Sequence, residues 1–326
     1  MTGPSPRSAA RSDPPAELVA RFKAALDRLW PEGGKLGLAV SGGPDSLALL
    51  LLAEAAIPGQ FEVATVDHGL RPEAAEECAM VARVCAERGV ACEVLQANVA
   101  HGNLQAAARE ARYAELAALA RERGLSAIAT AHHSDDQAET LLMRLNRGSG
   151  VAGLAGVRAR GKVPNSDVPL IRPLLEFRRS ELGEVVARAG LFATDDPSNG
   201  DERFDRVRLR RALARSDWLD PRWVAASASH LADADEALEW AAQREWDEHV
   251  TVVERGVRYR CRAPRAVALK VVERAIHGLG GRARGQDLAR LLDRLECGEA
   301  GNVGGILASA DGDEWVFRRE PPRRTG

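Results

Sequence analysis

The sequence predicts an α/β protein built on a parallel sheet with helices on both faces, followed by a smaller helical and α+β domain. Two observations indicate this fold class. Short apolar segments alternate with longer segments of helical periodicity over residues 36–146, and each apolar segment ends at a polar residue. Strands buried on both faces have this pattern, and the helices between them supply the crossovers that parallel strands need. The arrangement is Rossmann-like, so we expect the ligand site beyond the carboxyl ends of the strands.

The elements of the first domain follow each other in a regular order. A helix over 16–30 ends at Pro31 and the glycines after it. Residues 147–162 contain five glycines and should form a loop. A helix over 179–189 follows, and 195–215 should contain a turn and an arginine-rich helix. The remaining predicted strands are 36–40, 61–66, 91–95 and 126–131, and the remaining predicted helices are 44–56, 72–88, 104–123 and 133–146.

The domain boundary is expected at the tryptophan-containing stretch before Pro221. We assign 16–216 to the catalytic domain and 217–326 to a C-terminal domain. A leader over 1–15, rich in proline, serine and arginine, is expected to be disordered. The elements predicted for the second domain are helices over 221–248, 265–277 and 285–295, a strand pair within 251–261, and a hairpin formed by 303–308 and 314–318.

Composition and charge restrict the environment and the partners. The chain has 326 residues and a formal net charge of −2, so a nucleic-acid partner would have to be held by a local basic patch. The five cysteines are odd in number and show no Cys-x-x-Cys spacing, which favours free thiols in a reducing cytosol. No apolar run approaches the ~20 residues of a membrane span. We therefore expect a cytoplasmic protein that does not enter the membrane.

The segment Ser41-Gly42-Gly43-Pro44-Asp45-Ser46, here called the glycine loop, connects the first predicted strand to its helix. The glycines allow backbone N–H groups to approach an anion closely, and the helix N-terminus adds a partial positive charge. The serine hydroxyls can donate to phosphate oxygens, whereas Asp45 would repel phosphate unless Mg²⁺ bridges the two. The segment is not a Walker loop, because it lacks the Gly-Lys-Ser/Thr ending of that motif. An ordinary strand-to-helix turn is the alternative, which the two serines and the aspartate disfavour.

The glycine loop resembles the signature of the PP-loop ATP pyrophosphatases, which adenylate a substrate oxygen and release pyrophosphate. Further motifs resemble those of the tRNA(Ile)-lysidine synthases and occur in that family's order. They are VDHGLRP at 66–72, AREARY at 108–113, TAHHSDDQAET at 130–140, RGSG at 147–150, RPLL at 172–175 and DPSN at 196–199. Together with the glycine loop and the arginines that follow DPSN, they span roughly residues 36–215. Residues 301–317 are similar to the end of the family's first C-terminal domain.

The resemblance implies a reaction and its partners. Cytidine 34 in the CAU anticodon of a minor isoleucine tRNA is activated at its C2 oxygen with AMP from ATP, with Mg²⁺ as the metal ion. Free L-lysine then displaces the AMP to give lysidine. The glycine loop and Asp67 would bind ATP, and Asp45 would be both a catalytic residue and the Mg²⁺ ligand. The C-terminal domain would contact the tRNA. The oligomeric state stays open, with a homodimer as one alternative.

Three acidic residues lie in the first turns of the helix that contains the TAHHSDDQAET motif. Asp136 and Glu139 share a face at i, i+3, and Asp135 and Glu139 do so at i, i+4. Acids placed against the helix dipole are the alternative explanation. With His133 they form the predicted lysine and cytidine pocket, in which Asp136 and Glu139 are the candidates for accepting the amine proton. A metal ion shared by His132 and His133 is disfavoured, because adjacent helical side chains point about 100° apart.

Two arginines of the AREARY motif are candidates for holding ATP phosphates or RNA. Arg109 and Arg112 lie at i, i+3 on the predicted helix over 104–123. Salt bridges to Glu110 or Glu115 are the alternative.

The densest basic run of the chain follows the DPSN motif. A solvated face is the ordinary explanation for such a run, but its position favours contact with tRNA phosphates or with ATP. We assign this role to Arg206 and Arg208, although the related enzymes usually have Asn where this chain has Val207. The run consists of Arg203, Arg206, Arg208, Arg210, Arg211 and Arg215.

Other functions remain as alternatives. A sulfur-inserting tRNA enzyme of the same superfamily, such as a 2-thiocytidine synthetase, normally uses paired cysteines, and the chain has no such pair. A small-molecule ligase of the GMP synthetase or argininosuccinate synthetase type is disfavoured by the arginine run and by the motif at 130–140. A nucleotide sensor without catalysis is disfavoured by the intact glycine loop and the acidic residues.

Overall fold

The computed structural model describes residues 12–69, 72–97, 104–191 and 205–320. Predictions that concern 1–11, Leu70 and Arg71, the DPSN motif and Arg203 lie outside these residues. The chain forms two units. The first comprises residues up to Met143 together with Gly156–Ser229, and the second comprises Arg144–Ala155 together with residues from His230 onward.

A six-stranded sheet forms the centre of the first unit. Its strands are β1 (Leu36–Ala39), β2 (Phe61–Asp67), β3 (Cys92–Gln96), β4 (Ala127–Ala129), β5 (Arg160–Lys162) and β6 (Pro169–Ile171). They lie in the order β3-β2-β1-β4-β6-β5, and every neighbouring pair is parallel except the edge pair of β5 and β6. The order reverses between β1 and β4, and open α/β sheets bind ligands at the carboxyl ends of the strands at such a point.

Helices cover both faces of this sheet, which confirms the predicted fold class. On one face Phe22 and Leu49 pack with Val185 in a single core cluster. On the other face Tyr113 packs against residues that include Leu170. The helices up to residue 214 are α1 (Ala16–Leu29), α2 (Pro44–Ala56), α3 (Pro72–Glu87), α4 (Leu104–Glu122), α5 (Ser134–Leu145), α6 (Val151–Leu154), α7 (Arg179–Arg188) and α8 (Asp205–Ala214). Of these, α6 belongs to the second unit.

The prediction of a loop over 147–162 is wrong in part, because this stretch contains α6 and β5. β5 is exposed along its length and has the sequence Arg-Gly-Lys, so it shows none of the apolar alternation that predicts a strand. Its pairing with β6 places it at the sheet edge, where such residues are tolerated. β6 is apolar but only three residues long, and it was not predicted either.

The second unit is built around an antiparallel sheet. Its core includes Tyr259, Val271, Leu292 and Phe317. The elements are α9 (Pro221–His249), β7 (Val250–Val253), β8 (Gly256–Tyr259), α10 (Arg265–Gly278), α11 (Gly285–Glu296), β9 (Gly301–Val303), β10 (Ile306–Asp311) and β11 (Glu314–Arg319), with α9 entering this unit at His230. The strand order is β7-β8-β11-β10-β9, in which β9 was not predicted. Across the described residues, no helix combines the length and the apolar character needed to cross a membrane.

Candidate active site

The glycine loop lies between β1 and α2, at the carboxyl end of the central strand. Gly42 has a φ of 86°, a conformation that residues with a side chain rarely adopt. The Ser46 hydroxyl donates to the Gly43 carbonyl at 2.9 Å and accepts from the Ser41 backbone N–H at 3.1 Å. Pro44 begins α2, as expected for the first helical position. The Ser46 side chain therefore holds the loop in shape rather than standing free to donate.

Asp45 lies in the first turn of α2 and has two differently placed oxygens. Oδ2 lies 3.3 Å from Nε2 of His133. Oδ1 is buried and has no hydrogen-bond partner among the described residues. An unpartnered carboxylate oxygen suits a hard cation such as Mg²⁺. The described residues contain no group of three or more His, Cys, Asp or Glu side chains arranged to hold a metal ion, so a cation at Asp45 would take its further ligands from a phosphate substrate or water.

His133 is the centre of the acidic group. Its side chain is 2% exposed, and its ring lies 3.5 Å from Asp136 Oδ2 and 3.7 Å from Asp135 Oδ2, in addition to the Asp45 contact. Burial by itself lowers the pKa of His133, but the nearby carboxylates of Asp135, Asp45 and Asp136 outweigh it and raise the pKa to about 10. His133 is therefore a cation at neutral pH.

The neighbouring His132 has the opposite environment. Its Nδ1 lies 2.9 Å from the Thr130 hydroxyl. Burial and the nearby charge of Arg172 lower the pKa of His132 to about 3, so the ring is neutral at working pH. The two adjacent rings thus face groups of opposite charge.

Asp136 and Glu139 share a face of α5, and arginines of α8 bind both of them. Arg206 donates from Nη2 to Asp136 Oδ1 at 2.7 Å and from Nε to Glu139 Oε2 at 2.6 Å. Arg210 donates from Nε to Glu139 Oε1 at 2.7 Å. Glu139 is only 2% exposed, so these guanidiniums provide the partners that a buried carboxylate requires. Arg210 was predicted as a member of the basic run, but the specific role was assigned to Arg206 and Arg208 and not to Arg210, which lies one helical turn after Arg206.

The third acidic residue, Asp135, has a different set of partners from Glu139. Its Oδ2 accepts a hydrogen bond from the backbone N–H of Arg179 at 2.9 Å and lies 3.5 Å from Nε of Arg178. Burial raises the pKa of Asp135, but the nearby His133, the hydrogen bond from the Arg179 N–H and the charge of Arg178 outweigh this and hold the pKa well below its usual range. Asp135 therefore connects α5 to the start of α7.

The remaining predicted residues lie at several places on the first unit. Asp67 ends β2, and its Oδ1 accepts from the Gly69 backbone N–H at 2.8 Å. Arg208 is exposed and forms an ion pair with Asp205 one turn earlier on α8. Val207 is buried. Arg109 and Arg112 lie on α4, each over the ring of Tyr113.

The salt bridges proposed as the alternative for Arg109 and Arg112 are not seen among the described residues. Glu110 instead accepts a hydrogen bond from Asn165 at 2.9 Å. Arg172, which follows β6, joins these two arginines around Tyr113. It belongs to the RPLL motif but was not predicted as a site residue, because nothing local shows that β6 lies beside β4.

Comparison with known proteins places the chain in a family. Residues 16–216 match the family model of the PP-loop domain. The tRNA(Ile)-lysidine synthase of Novosphingobium aromaticivorans is 50% identical over 312 residues, which cover 94% of this chain and 95% of that protein. The tRNA(Ile)-lysidine synthase of Zymomonas mobilis is 40% identical over 310 residues, covering 90% and 91%.

A similar solved structure is the U34-tRNA thiolase NcsA from Methanococcus maripaludis with its 4Fe-4S cluster. It has a TM-score of 0.55 and 16% identity, and the match covers 68% of this chain and 81% of that one. This likeness shows the fold alone. The family model and the curated relatives confirm the resemblance inferred from the motifs. The chain belongs to the tRNA(Ile)-lysidine synthase family, whose PP-loop domain here carries the glycine loop and the acidic face of α5.

Proposed function

We propose that this ATP-dependent ligase, a PP-loop enzyme of tRNA modification, joins free L-lysine to C2 of cytidine 34 in the CAU anticodon of a minor tRNA(Ile). The cytidine is first adenylated at its C2 oxygen with release of pyrophosphate, and the lysine amine then displaces AMP. One observation carries the proposal: Asp45 of the glycine loop and Asp136 of the acidic face both contact His133. The proposed ATP site and the proposed cation pocket would therefore adjoin, as a reaction between a nucleotide and an amine requires.

The glycine loop is the proposed ATP site, with Asp67 beside it at the end of the neighbouring strand. Backbone N–H groups at Gly42 and Gly43 and the N-terminus of α2 suit phosphate. Asp45 would hold Mg²⁺ through its unpartnered Oδ1, together with phosphate oxygens. The ion, when bound, offsets the charge that develops on the leaving pyrophosphate.

The proton that lysine must lose has a restricted set of acceptors. An amine whose ordinary pKa is ~10.4 is deprotonated at a cost of about 4.6 kcal/mol at pH 7. His133 cannot accept this proton at neutral pH, because its raised pKa of about 10 keeps it protonated. The proposal therefore assigns proton acceptance to the carboxylates Asp136 and Glu139, and assigns to His133 and Asp135 the role of holding the pocket in shape.

The tRNA contacts are assigned to basic side chains and to the second domain. Cytidine 34 must leave its stack to reach the site. Arg109, Arg112, Arg206 and Arg208 are the proposed contacts with phosphates of the tRNA or of ATP. Arg206 and Arg208 are both exposed on α8. We further propose 16–216 as the catalytic domain and 217–326 as the domain that contacts the rest of the tRNA.

The main alternative is a sulfur-inserting enzyme such as the thiolase that shares the fold. That chemistry uses cysteines grouped around a cluster or paired as a persulfide carrier. Here Cys78 and Cys85 are buried on α3, Cys92 is half-buried on β3, and Cys261 and Cys297 belong to the second unit. None of the five is in the glycine loop or on α5, so the alternative is disfavoured.

The two chemical steps can be assayed separately. The protein is incubated with radiolabelled ATP and a tRNA(Ile) transcript that carries CAU, with and without L-lysine. Pyrophosphate release should require the tRNA, and AMP release should require both the tRNA and lysine. A transcript with UAU in place of CAU is the control and should support neither release. AMP release that does not depend on lysine would contradict the proposal.

A further inference from the structure

Three arginines lie near the carboxyl ends of β4 and β6, together with the rings of one tyrosine and one histidine. We call this group the arginine pocket. Its members are Arg109, Arg112, Tyr113, His132 and Arg172. The guanidinium carbons of Arg109 and Arg112 lie 5.0 Å and 5.5 Å from the centre of the Tyr113 ring, and Arg172 interacts with the Tyr113 hydroxyl. The group runs from buried Arg172, 9% exposed, to exposed Arg109, so it opens at the surface.

The positive charges of the arginine pocket have no carboxylate partners within the described part of the chain. Among the residues that the structure describes, no acidic side chain forms a salt bridge with Arg109, Arg112 or Arg172. The Nε groups of Arg112 and Arg172 are buried, and neither has a hydrogen-bond partner among these described residues. The bond that Arg172 does make is from Nη1 to the Arg158 carbonyl at 2.6 Å. Converging guanidiniums with unused donors match the geometry of an oxyanion, because each presents a planar fork of N–H groups.

His132 adds a neutral donor to this group. Its Nδ1 lies 2.9 Å from the Thr130 hydroxyl. If Thr130 donates to Nδ1, the neutral ring carries its proton on Nε2 and can donate there. Burial and the arginines hold the pKa of His132 near 3, so the ring does not add to the charge of the pocket.

The arginine pocket adjoins the acidic face of α5. His132 and His133 are consecutive, and the first faces Arg172 whereas the second faces Asp45 and Asp136. The site therefore has a basic side and an acidic side separated by one peptide unit.

We propose that the arginine pocket binds one oxyanion of a substrate, a carboxylate or a phosphate, separately from the phosphate site of the glycine loop. The choice of ligand rests on the proposed function, which supplies the two sources: the α-carboxylate of lysine, and the phosphates of ATP or its pyrophosphate product. The inference that the pocket binds an oxyanion rests on the arginines alone.

The test is isothermal titration calorimetry on the full chain with three probes. L-lysine and inorganic pyrophosphate carry the two oxyanions, and cadaverine carries the amines of lysine without its carboxylate. Arg172→Gln and Arg109→Gln are compared with the wild type. Arg121→Gln is the matched control, because Arg121 lies on the same helix but is exposed and paired with Asp167 at 2.7 Å.

Both pocket variants should bind one of the two oxyanion probes about 10- to 100-fold more weakly, with cadaverine binding and the control unchanged. Weakened lysine binding assigns the pocket to the carboxylate, and weakened pyrophosphate binding assigns it to phosphate. If Arg172→Gln does not show a cooperative thermal transition, Arg109→Gln at the exposed end decides the result. Wild-type affinity for both probes in the pocket variants, or no binding of either probe by the wild type, overturns the proposal. If pyrophosphate binding depends on Arg172 but the wild type does not bind lysine, the arginine-pocket proposal is supported and the proposed lysine substrate is contradicted.

Discussion

Nε2 of His133 lies 3.3 Å from Oδ2 of Asp45, and this contact joins the start of α5 to the glycine loop. The same ring faces Asp135 and Asp136. Because three carboxylates around one point repel each other, a protonated His133 reduces the free-energy cost of holding them together. The shape of the candidate site therefore depends on the charge of a buried histidine.

We expect His133→Gln to reduce the pH dependence of stability. The pKa of His133 is about 10 in the folded protein, above its ordinary 6.5. A raised folded-state pKa gives stabilisation that is complete below about pH 6.5 and is lost as the pH rises toward 10. The wild type should lose free energy of unfolding, on the order of a few kcal/mol, over this range, and the variant should lose less. Urea unfolding at several pH values measures this.

The control for this prediction is His230→Gln, because His230 is exposed on α9. It should retain the wild-type pH dependence. Parallel pH profiles for the wild type and His133→Gln would mean that His133 is not the responsible group.

We expect Asp45→Asn to abolish AMP formation while tRNA binding is kept. The substitution removes the charge needed to hold a cation at the glycine loop, and the loss should be about 100-fold or more in rate. Asp27→Asn is the control, since Asp27 is exposed and pairs with Lys23 on α1. Single-turnover assays give the rate and filter binding gives the tRNA affinity. Equal losses of both quantities would argue against a role in the chemical step.

We expect Arg210→Met to destabilise the protein more than Arg208→Met on the same helix. Arg210 donates to buried Glu139, so its loss leaves that carboxylate with fewer partners, at a cost of about 1–3 kcal/mol. Arg208 pairs with Asp205 at the surface, where such pairs contribute ~0–1 kcal/mol. Urea unfolding at pH 7 compares the two variants. Equal effects would show that Glu139 does not depend on Arg210.

We expect Arg208→Ala to weaken tRNA binding and to reduce its salt dependence. An exposed arginine that contacts one RNA phosphate releases about one counterion, so the slope of log Kd against log salt should fall by about 1. Arg121→Ala, which removes an exposed arginine of α4, should leave the slope unchanged. Filter binding at four salt concentrations measures it. A slope equal to that of the wild type would exclude Arg208 from the contact.

Much of the fold of the first unit could be predicted from sequence, because its signals are local. The glycine loop and the leucine-rich run after it gave the bounds of α2, Pro44–Ala56, without error. The edge strands β5 and β6 could not be predicted, because three residues carry too little pattern and their pairing depends on neighbours elsewhere in the chain.

The partners of the site residues were the less predictable part. Glu139 and Arg210 are 71 residues apart in the chain, and their hydrogen bond exists because α8 lies against α5. Asp135 was grouped with Glu139 by helical spacing, but its bond to the Arg179 backbone depends on where α7 begins. Sequence spacing identifies which side chains share a face, and it does not identify what that face contacts.

The sequence by itself therefore determined the α/β fold of the first unit, the glycine loop and the acidic residues of α5, because each is written in a few consecutive residues. Only the tertiary structure decided that Asp45 meets His133, that Arg206 and Arg210 bind the acidic face, and that adjacent His132 and His133 carry different charges. The physical reason is that burial and through-space charge set hydrogen bonding and pKa, and both depend on residues brought together from distant parts of the chain.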